Sequence, residues 1–238
     1  MQTINRQTTL GIVGGLGPLA SAEFLRTIYE QSLGEREQHS PAVLMYSDPS
    51  FPDRTESFLA GSTDALLDRL VTALEGLREL GASKFVLCCV TIHYLLPKLP
   101  EHLRSRVVSL IDVAFDQLAH VRRKHLLICS SGSAKLGLFH NHPRWESVKP
   151  YIVVPDESDQ HRIHYELINS VKRNRNLSEL APTIESLLAK YKVNSFIAGC
   201  SEIHLLAKLF ESSNGNHQGL SCVDPLTTIA KNLAEGAL

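Results

Sequence analysis

The chain of 238 residues is long enough for one large domain or two small ones, and 43% hydrophobic with 21% charged residues is typical of a soluble globular protein. A formal net charge of −1 provides no basic field for nucleic acid, and the longest apolar runs fall far short of the roughly 20 residues of a membrane span. Residues 1–9 lack the apolar stretch of a secretory signal, so we expect a cytoplasmic protein.

Short apolar runs alternate along the chain with longer segments of helical period. The predicted strands are residues 10–13, 42–46, 85–90, 107–110, 125–129, 152–154 and 196–198. Leucines recur at helical spacing in residues 63–80, and similar patterns in residues 184–191 and 226–233 predict two more helices, the last closing the chain. This alternation predicts an α/β fold with parallel sheets covered on both sides.

The chain also contains an internal repeat. Residues 85–95 (FVLCCVTIHYL) align without a gap to residues 196–206 (FIAGCSEIHLL), and residues 12–17 (IVGGLG) match residues 128–133 (ICSSGS) more weakly. The offsets of the two matches are nearly equal, which indicates one duplication. We therefore expect two similar halves related by a pseudo-twofold axis.

The duplication places Cys89 and Cys200 at equivalent positions, each just past the carboxyl end of a predicted strand. Residues there face the ligand crevice of a parallel sheet, and a following helix would favour the thiolate. Cys88 should point into the core by strand alternation, and Cys129 and Cys222 have no assigned role. An odd number of cysteines and the absence of a CxxC pair argue against disulfides and structural zinc.

Two thiols that face each other are suited to inverting a stereocentre. One group removes the α-proton from one face while the other delivers a proton from behind, and matched pKa values allow both directions. Backbone amides of residues 14–17 and 130–133 lie at equivalent loops and are candidates to bind the substrate carboxylate.

Five segments resemble motifs of the aspartate/glutamate racemase family, in the order of its aspartate racemase branch. They are residues 14–21 (GGLGPLAS), 47–55 (SDPSFPDRT), 89–93 (CVTIH), 131–139 (SGSAKLGLF) and 199–203 (GCSEI). The resemblance implies two Rossmann-like α/β domains with the active site between them, no pyridoxal phosphate or other cofactor, no metal, and a homodimer. It places the domains at residues 1–103, completed by a closing helix at 213–238, and at residues 104–212.

The same resemblance implies the roles of individual residues. Cys89 and Cys200 inherit the catalytic roles, and Arg54 and Lys172 match the cations that hold the side-chain carboxylate of the substrate. Possible helpers near the thiols are Glu202, His93 and His204. The full set predicted to bind substrate is Arg54, Lys172, Thr91, Ser201, Gly17, Ser131, Gly132 and Ser133.

Two positions depart from the family pattern. Val90 stands where the family has an asparagine, so a side-chain hydrogen bond to the head group of the substrate is lost there. Near the C-terminus, residues 224–229 (DPLTTI) lack the histidine of the family motif. Both departures bear on substrate preference rather than on the proton chemistry.

Two further patterns invite other interpretations. Gly15 and Gly17 formally match a dinucleotide-binding motif, but Pro18 interrupts the loop and no acidic residue follows at the required distance. His140 and His142 have no matching ligands for a metal. We therefore predict neither a nucleotide nor a metal.

The leading hypothesis is cofactor-independent racemisation of an acidic amino acid, with aspartate favoured over glutamate. The alternatives are a dicarboxylate cis–trans isomerase of the same superfamily and a non-catalytic binder of an acidic amino acid. The expected partners are a small amino acid and a second copy of the chain, with no nucleic acid or membrane.

Overall fold

Each half of the chain builds its own parallel sheet, as the alternation of strands and helices predicts. The computed structural model describes residues 8–34, 36–212 and 219–238. The first sheet contains β1 (Leu10–Gly14), β2 (Val43–Ser47) and β3 (Lys84–Leu87) in the spatial order β2-β1-β3. The second contains β4 (His125–Cys129), β5 (Ile152–Val153), β6 (Ser195–Gly199) and β7 (Ser221–Val223) in the order β5-β4-β6-β7.

Helices connect the strands and cover the sheets. They are α1 (Pro18–Gln31), α2 (Arg54–Leu59), α3 (Asp64–Glu79), α4 (Glu101–Arg104), α5 (Leu110–Val121), α6 (Ser131–Lys135), α7 (Trp145–Val148), α8 (Glu157–Arg162), α9 (Asn169–Lys172), α10 (Leu177–Lys190), α11 (Ile203–Ser212) and α12 (Pro225–Ala234). Short 3₁₀ helices lie at Glu37–His39, Thr91–Lys98 and Lys149–Tyr151, and a π-helical turn lies at Ile163–Ile168. Among the described residues, no helix is both long and apolar enough to cross a membrane.

The strand order shows the duplication directly, because β2-β1-β3 and β5-β4-β6 are the same arrangement. The equivalence extends to single residues of the repeat. Phe196 of β6 pairs with Cys222 of β7, and the equivalent Phe85 of β3 forms an isolated parallel bridge with Val107. The first half therefore contains only the remnant of a fourth strand.

One prediction about the strands was wrong. Residues 107–110 contribute one bridge rather than a strand, because Ser109 caps α5 by accepting the Asp112 N–H and so starts a helix at Leu110. The closing helix predicted from residues 226–233 is confirmed as α12, although the segment 213–238 also contains β7, which is too short for its pattern to predict a strand. Residues 213–218 lie outside the described residues.

The helix α12 packs against both α1 and α5, while β7 extends the second sheet. The closing segment therefore contacts both halves, and the domain boundary at residue 103 remains a prediction. One apolar core also contains residues from both halves. Its members include Ile12, Phe24, Cys88, Leu127, Ile197 and Ile229.

Strand alternation divides the side chains between this shared core and two outer cores. Val86 and Cys88 point into the shared core, while Phe85, Leu87 and Cys89 belong to the outer core of the first sheet. In the second half, Cys200 belongs to the outer core beside β6. Cys88 is fully buried, as the alternation predicts.

Candidate active site

Cys89 lies in a sharp turn at the carboxyl end of β3. The Cys88 N–H still donates to the Val13 carbonyl, as a strand residue would, whereas the Cys89 N–H turns back to the Leu87 carbonyl at 2.7 Å. A 3₁₀ helix rather than an α-helix follows, and it contains Pro97, which cannot donate a backbone hydrogen bond. The turn leaves Cys89 with 7% of its surface exposed.

Cys200 occupies the equivalent turn after β6 and is 6% exposed. Its thiol donates to Glu202 Oε2 at 2.9 Å, and the Ser201 hydroxyl donates to the same oxygen at 3.3 Å. Burial, followed by the negative charge of Glu202, raises the pKa of Cys200 well above its usual value, while Lys172 acts to lower it. The charge of Cys89 makes a smaller contribution in the same direction as Glu202.

Reciprocal contacts between the halves surround these turns. Thr91 Oγ1 lies 3.0 Å from the hydroxyl oxygens of both Ser130 and Ser133. The repeat makes Glu202 the equivalent of Thr91 and Gly17 the equivalent of Ser133, and these two residues are also in contact. A Cβ atom on Gly17 would lie 2.6 Å from Glu202 Oε1, so a larger residue there would displace the carboxylate. The contacts confirm the pseudo-twofold relation expected from the repeat.

A cavity of about 370 Å³ lies between the two halves beside Glu202. Its lining residues are Gly15, Leu16, Gly17, Pro18, Leu19, Ala20, Pro49, Asp53, Arg54, Val171, Lys172 and Glu202. The cavity thus brings together four of the predicted site residues. Cys200 adjoins it through the hydrogen bond to Glu202.

Arg54 and Lys172 supply positive charge from opposite halves. Arg54 is the first residue of α2, and its guanidinium donates to the carbonyls of Leu16 at 2.5 Å and Pro52 at 3.1 Å. Asp53 caps the same helix by accepting the Glu56 N–H. Lys172 is the last residue of α9 and is exposed.

The loop that carries Asp53 and Arg54 is held by a network that the sequence did not reveal. Arg69 of α3 donates to the Asp48 carboxylate at 2.5 Å and to the Ser50 carbonyl at 2.8 Å. Hydrogen bonds from Ser50, and to a lesser extent from Arg69, lower the pKa of Asp48 to about 2. Arg69 also stacks on Phe51, with its guanidinium carbon 4.5 Å from the ring centre.

The loop predicted to bind the substrate carboxylate already has internal partners. The Ser133 N–H donates to Ser130 Oγ at 3.1 Å, and the Ser131 N–H donates to His164 Nδ1 at 3.3 Å. Gly132 fits closely against α2, because a Cβ there would lie 2.4 Å from Thr55 Oγ1. Substrate roles for Ser131, Gly132 and Ser133 therefore remain predictions.

The two equivalent histidines have different surroundings. His93 Nδ1 lies 3.0 Å from the Cys89 carbonyl and Nε2 accepts the Leu110 N–H, so the ring is neutral and donates through Nδ1. Burial lowers the pKa of His93 to about 4. His204 instead contacts Asp224 at 2.6 Å and Thr27 at 3.0 Å. Burial acts to lower the pKa of His204, but the charge and the hydrogen bond of Asp224, with a contribution from Glu23, together raise it.

Neither histidine lines the cavity between the halves, and neither do Thr91 or Ser201. Thr91 links the two halves through hydrogen bonds to Ser130 and Ser133, and Ser201 donates a hydrogen bond to Glu202. Each histidine links its cysteine turn to the start of a later helix. The sequence analysis missed His164, whose spacing from the other site residues follows no motif. His140 stacks on Trp145, and no metal-binding group of three side chains occurs among the described residues.

Comparison with known proteins assigns the chain to a family and identifies structures with the same fold. The family model for Asp/Glu/hydantoin racemases matches residues 13–233, so the chain belongs to that family. The structure is similar to Picrophilus torridus aspartate racemase, with a TM-score of 0.80 at 20% identity over 97% of this chain and 94% of that one.

Two further structures extend the likeness. An aspartate racemase homologue from Pyrococcus horikoshii OT3 gives a TM-score of 0.71 at 18% identity over 97% of this chain and 99% of that one. Glutamate racemase from Aquifex pyrophilus gives 0.59 at 16% identity over 96% and 83%. At these identities the matches establish the two-sheet α/β fold.

Proposed function

We propose that this protein racemises an acidic amino acid, most readily aspartate, with Cys89 and Cys200 as the two acid–base groups. The observation that carries the proposal is the pair of equivalent turns, each presenting a slightly exposed thiol, with a cavity between the two halves. One thiol removes the α-proton as a thiolate, and the other, held as a thiol, protonates the opposite face of the carbanion. The roles exchange in the reverse direction.

The charges around the cavity fit an amino acid with two carboxylates. Arg54 offers a planar donor group and Lys172 a point charge for the side-chain carboxylate. Glu202 is 4% exposed and, among the described residues, accepts hydrogen bonds without forming an ion pair. A buried carboxylate without a cation favours binding of the α-ammonium group, since buried charges are normally paired.

The observation at Val90 favours a second candidate, a dicarboxylate cis–trans isomerase. Val90 is 2% exposed and packs in the shared core, so its side chain supplies no hydrogen bond beside Cys89. A substrate without an amino group needs no such bond. One thiolate would add to the double bond and the other thiol would protonate the adjacent carbon. Rotation about the resulting single bond, removal of that proton and loss of the first thiolate would then release the trans isomer with both thiols restored.

One set of incubations separates the candidates. The protein is incubated in deuterated water with L- or D-aspartate, L- or D-glutamate, or maleate, and the products are resolved by chiral chromatography and mass spectrometry. We expect aspartate to invert with one deuterium at the α-carbon of the product. Conversion of maleate to fumarate without inversion of either amino acid would support the isomerase and contradict our proposal.

A further inference from the structure

A second cavity lies near the amino end of β4, between α5, α12 and β7. Its volume is about 350 Å³, and none of its lining residues lines the cavity beside Glu202. His125 begins β4, whereas Cys200 follows the carboxyl end of β6, which pairs in parallel with β4. The second cavity is therefore separate from the candidate active site, and its volume falls within the roughly 300 to 1,000 Å³ of small-molecule sites.

Two side chains of this cavity contain buried atoms without a hydrogen-bond partner. Among the described residues, the buried side-chain nitrogen and oxygen atoms that lack one are Gln117 Oε1 and His125 Nε2. Gln117 lies on α5, His125 is only 1% exposed, and both residues line the cavity. Buried polar atoms are normally bonded, because an unpaired one costs free energy. The position of both exceptions at one cavity indicates a ligand that supplies the missing partners.

The hydrogen bonds of His125 show that both unpaired atoms are acceptors. The Ser195 hydroxyl donates its single hydrogen to the Ser221 carbonyl at 2.9 Å, so it accepts from His125 Nδ1, which lies 2.6 Å away. Nδ1 therefore carries the ring hydrogen, and Nε2 of the neutral ring is an acceptor. Burial, followed by the charge of Arg123, lowers the pKa of His125 to about 4, so the ring stays neutral above about pH 6.

The remaining wall of the cavity favours a neutral ligand with an apolar body. The two charged side chains of opposite sign there already have partners, since Asp116 accepts from Arg144 at 2.6 Å and Arg123 donates to the Ser221 hydroxyl. An amino group on a planar body offers two N–H donors, one for each unpaired acceptor. The apolar part of the wall consists of Val113, Val121 and Val223.

We propose that this cavity is a second binding site, which takes a small neutral molecule with a planar amino group, as in a primary carboxamide or an amino-substituted heterocycle. One N–H of that group donates to Gln117 Oε1 and the other to His125 Nε2. The body of the ligand packs on the valines. This inference does not depend on the proposed function, because it uses neither thiol and no residue of the cavity beside Glu202.

Two pairs of probes with matched shapes test the need for an amino group. Benzamide has an amino group where benzoate has a charged oxygen, and adenine has one where hypoxanthine has a carbonyl oxygen. Chemical-shift titration of the ¹⁵N-labelled protein measures the Kd of each probe. We expect the amino member of at least one pair to bind about tenfold or more tightly than its oxygen counterpart, which brings an acceptor to two acceptors. The pair with the tighter binder distinguishes an amide from a heterocycle.

Variants of Gln117 test the contact and exclude a purely structural role. Gln117→Leu removes the acceptor at similar volume and should weaken binding of the tighter amino probe about tenfold, whereas Gln117→Glu keeps an acceptor and should retain it. Because Oε1 has no partner to lose, Gln117→Leu should not lower the midpoint of urea unfolding. Lys231→Ala is the matched control, since Lys231 is an exposed residue of α12 outside the cavity. The imidazole Nε2 signal of His125 should shift when the same probe binds.

The remaining outcomes would overturn the second site. If none of the four probes binds, the two acceptors are met by solvent only. Equal affinity within both pairs would show that the amino group is not recognised, and loss of probe binding at saturating aspartate would place the probe in the cavity beside Glu202. An absence of racemisation together with selective binding of an amino probe would contradict the proposed reaction and support the second site.

Discussion

Cys89 and Cys200 occupy equivalent turns of two duplicated halves, yet the next few residues surround them with different charges. The Cys200 thiol donates to the buried carboxylate of Glu202. The equivalent of Glu202 in the first half is Thr91, whose hydroxyl is bonded to Ser130 and Ser133 and brings no charge. The duplicated backbone thus places two thiols at equivalent positions, while neighbouring side chains bring a carboxylate to only one of them.

The histidines four residues after each cysteine extend this contrast. His93 is a neutral link between the Cys89 turn and the start of α5, whereas His204 forms a buried ion pair with Asp224 at the start of α12. Each connects its turn to the helix that follows the next strand or strand remnant. The two histidines therefore have the same geometric role, but only His204 forms an ion pair.

Removal of either thiol is the largest predicted effect. We expect Cys89→Ala and Cys200→Ala each to lower the rate of inversion by about 10³-fold or more, since acid–base groups typically contribute 10² to 10⁴. Because each thiol serves one face, any remaining exchange of the α-hydrogen with deuterated water should be confined to one enantiomer, a different one in each variant.

Cys222→Ala is the control for these variants, because Cys222 is a partly exposed residue of β7 and lies outside the two equivalent turns. It should retain nearly full activity. Inversion above a tenth of the wild-type rate in either Cys89→Ala or Cys200→Ala would contradict the symmetry of the two thiols.

The two histidines should make the stability of the protein depend on pH in opposite directions. The pKa of His93 falls from 6.5 in the unfolded chain to about 4, so its contribution is present above pH 6.5 and is lost as pH falls towards 4. That loss amounts to about 3 kcal/mol. The pKa of His204 is raised, so its contribution is present below pH 6.5 and is lost as pH rises through the raised value.

Urea unfolding of wild type, His93→Gln and His204→Gln from pH 4.5 to 9 measures both effects. The difference between wild type and His93→Gln should shrink on the acid side, and that for His204→Gln should shrink on the alkaline side. Other groups, such as buried His125, cancel in these differences. The prediction would be contradicted if the differences in unfolding free energy for His93→Gln and His204→Gln varied with pH in the same direction. The two histidines would then not differ in charge.

A shift of the pH profile should follow from replacing Glu202 by glutamine, in addition to the weaker substrate binding expected when the partner of the α-ammonium group is lost. The change removes a negative charge beside Cys200 and so lowers the pKa of that thiol. We expect the pH profile of kcat/KM to move to lower pH by about one unit for the enantiomer that Cys200 deprotonates, and less for the other. The profiles are measured from both enantiomers between pH 6 and 10.

Ser201→Ala provides the matched control, since it removes one hydrogen bond to Glu202 and leaves the charge in place. Its profiles should remain close to wild type. Equal shifts for both enantiomers in Glu202→Gln would mean that the carboxylate acts on both thiols and that the two turns do not differ in this respect.

Much of the architecture was predictable because it depends on local patterns. Alternating apolar runs gave most of the strands, and the repeat at Cys89 and Cys200 revealed the two halves. The wrong or missing predictions concern short elements whose conformation depends on neighbouring residues or strands. Residues 107–110 turn into a helix at the Ser109 cap, and β7 is a three-residue edge strand that depends on pairing with β6.

The site was predictable only in part for the same reason. Arg54, Lys172, Gly17 and Glu202 follow motifs, and they line one cavity. The network of Arg69 with Asp48 and the bond between Ser131 and His164 join residues far apart in sequence. Neither the periodicity of apolar residues nor the spacing of motifs in the sequence indicates such contacts.

The sequence by itself determined that two cysteines occupy equivalent positions in two halves, because a duplication leaves its record in residue order. Only the tertiary structure decided how the two positions differ. The sequence does not show whether a thiol lies beside a carboxylate. It also does not show whether a histidine contacts a carboxylate or a backbone amide. Both depend on groups that folding brings together from different parts of the chain. Burial then strengthens these electrostatic differences, because little water remains to screen them.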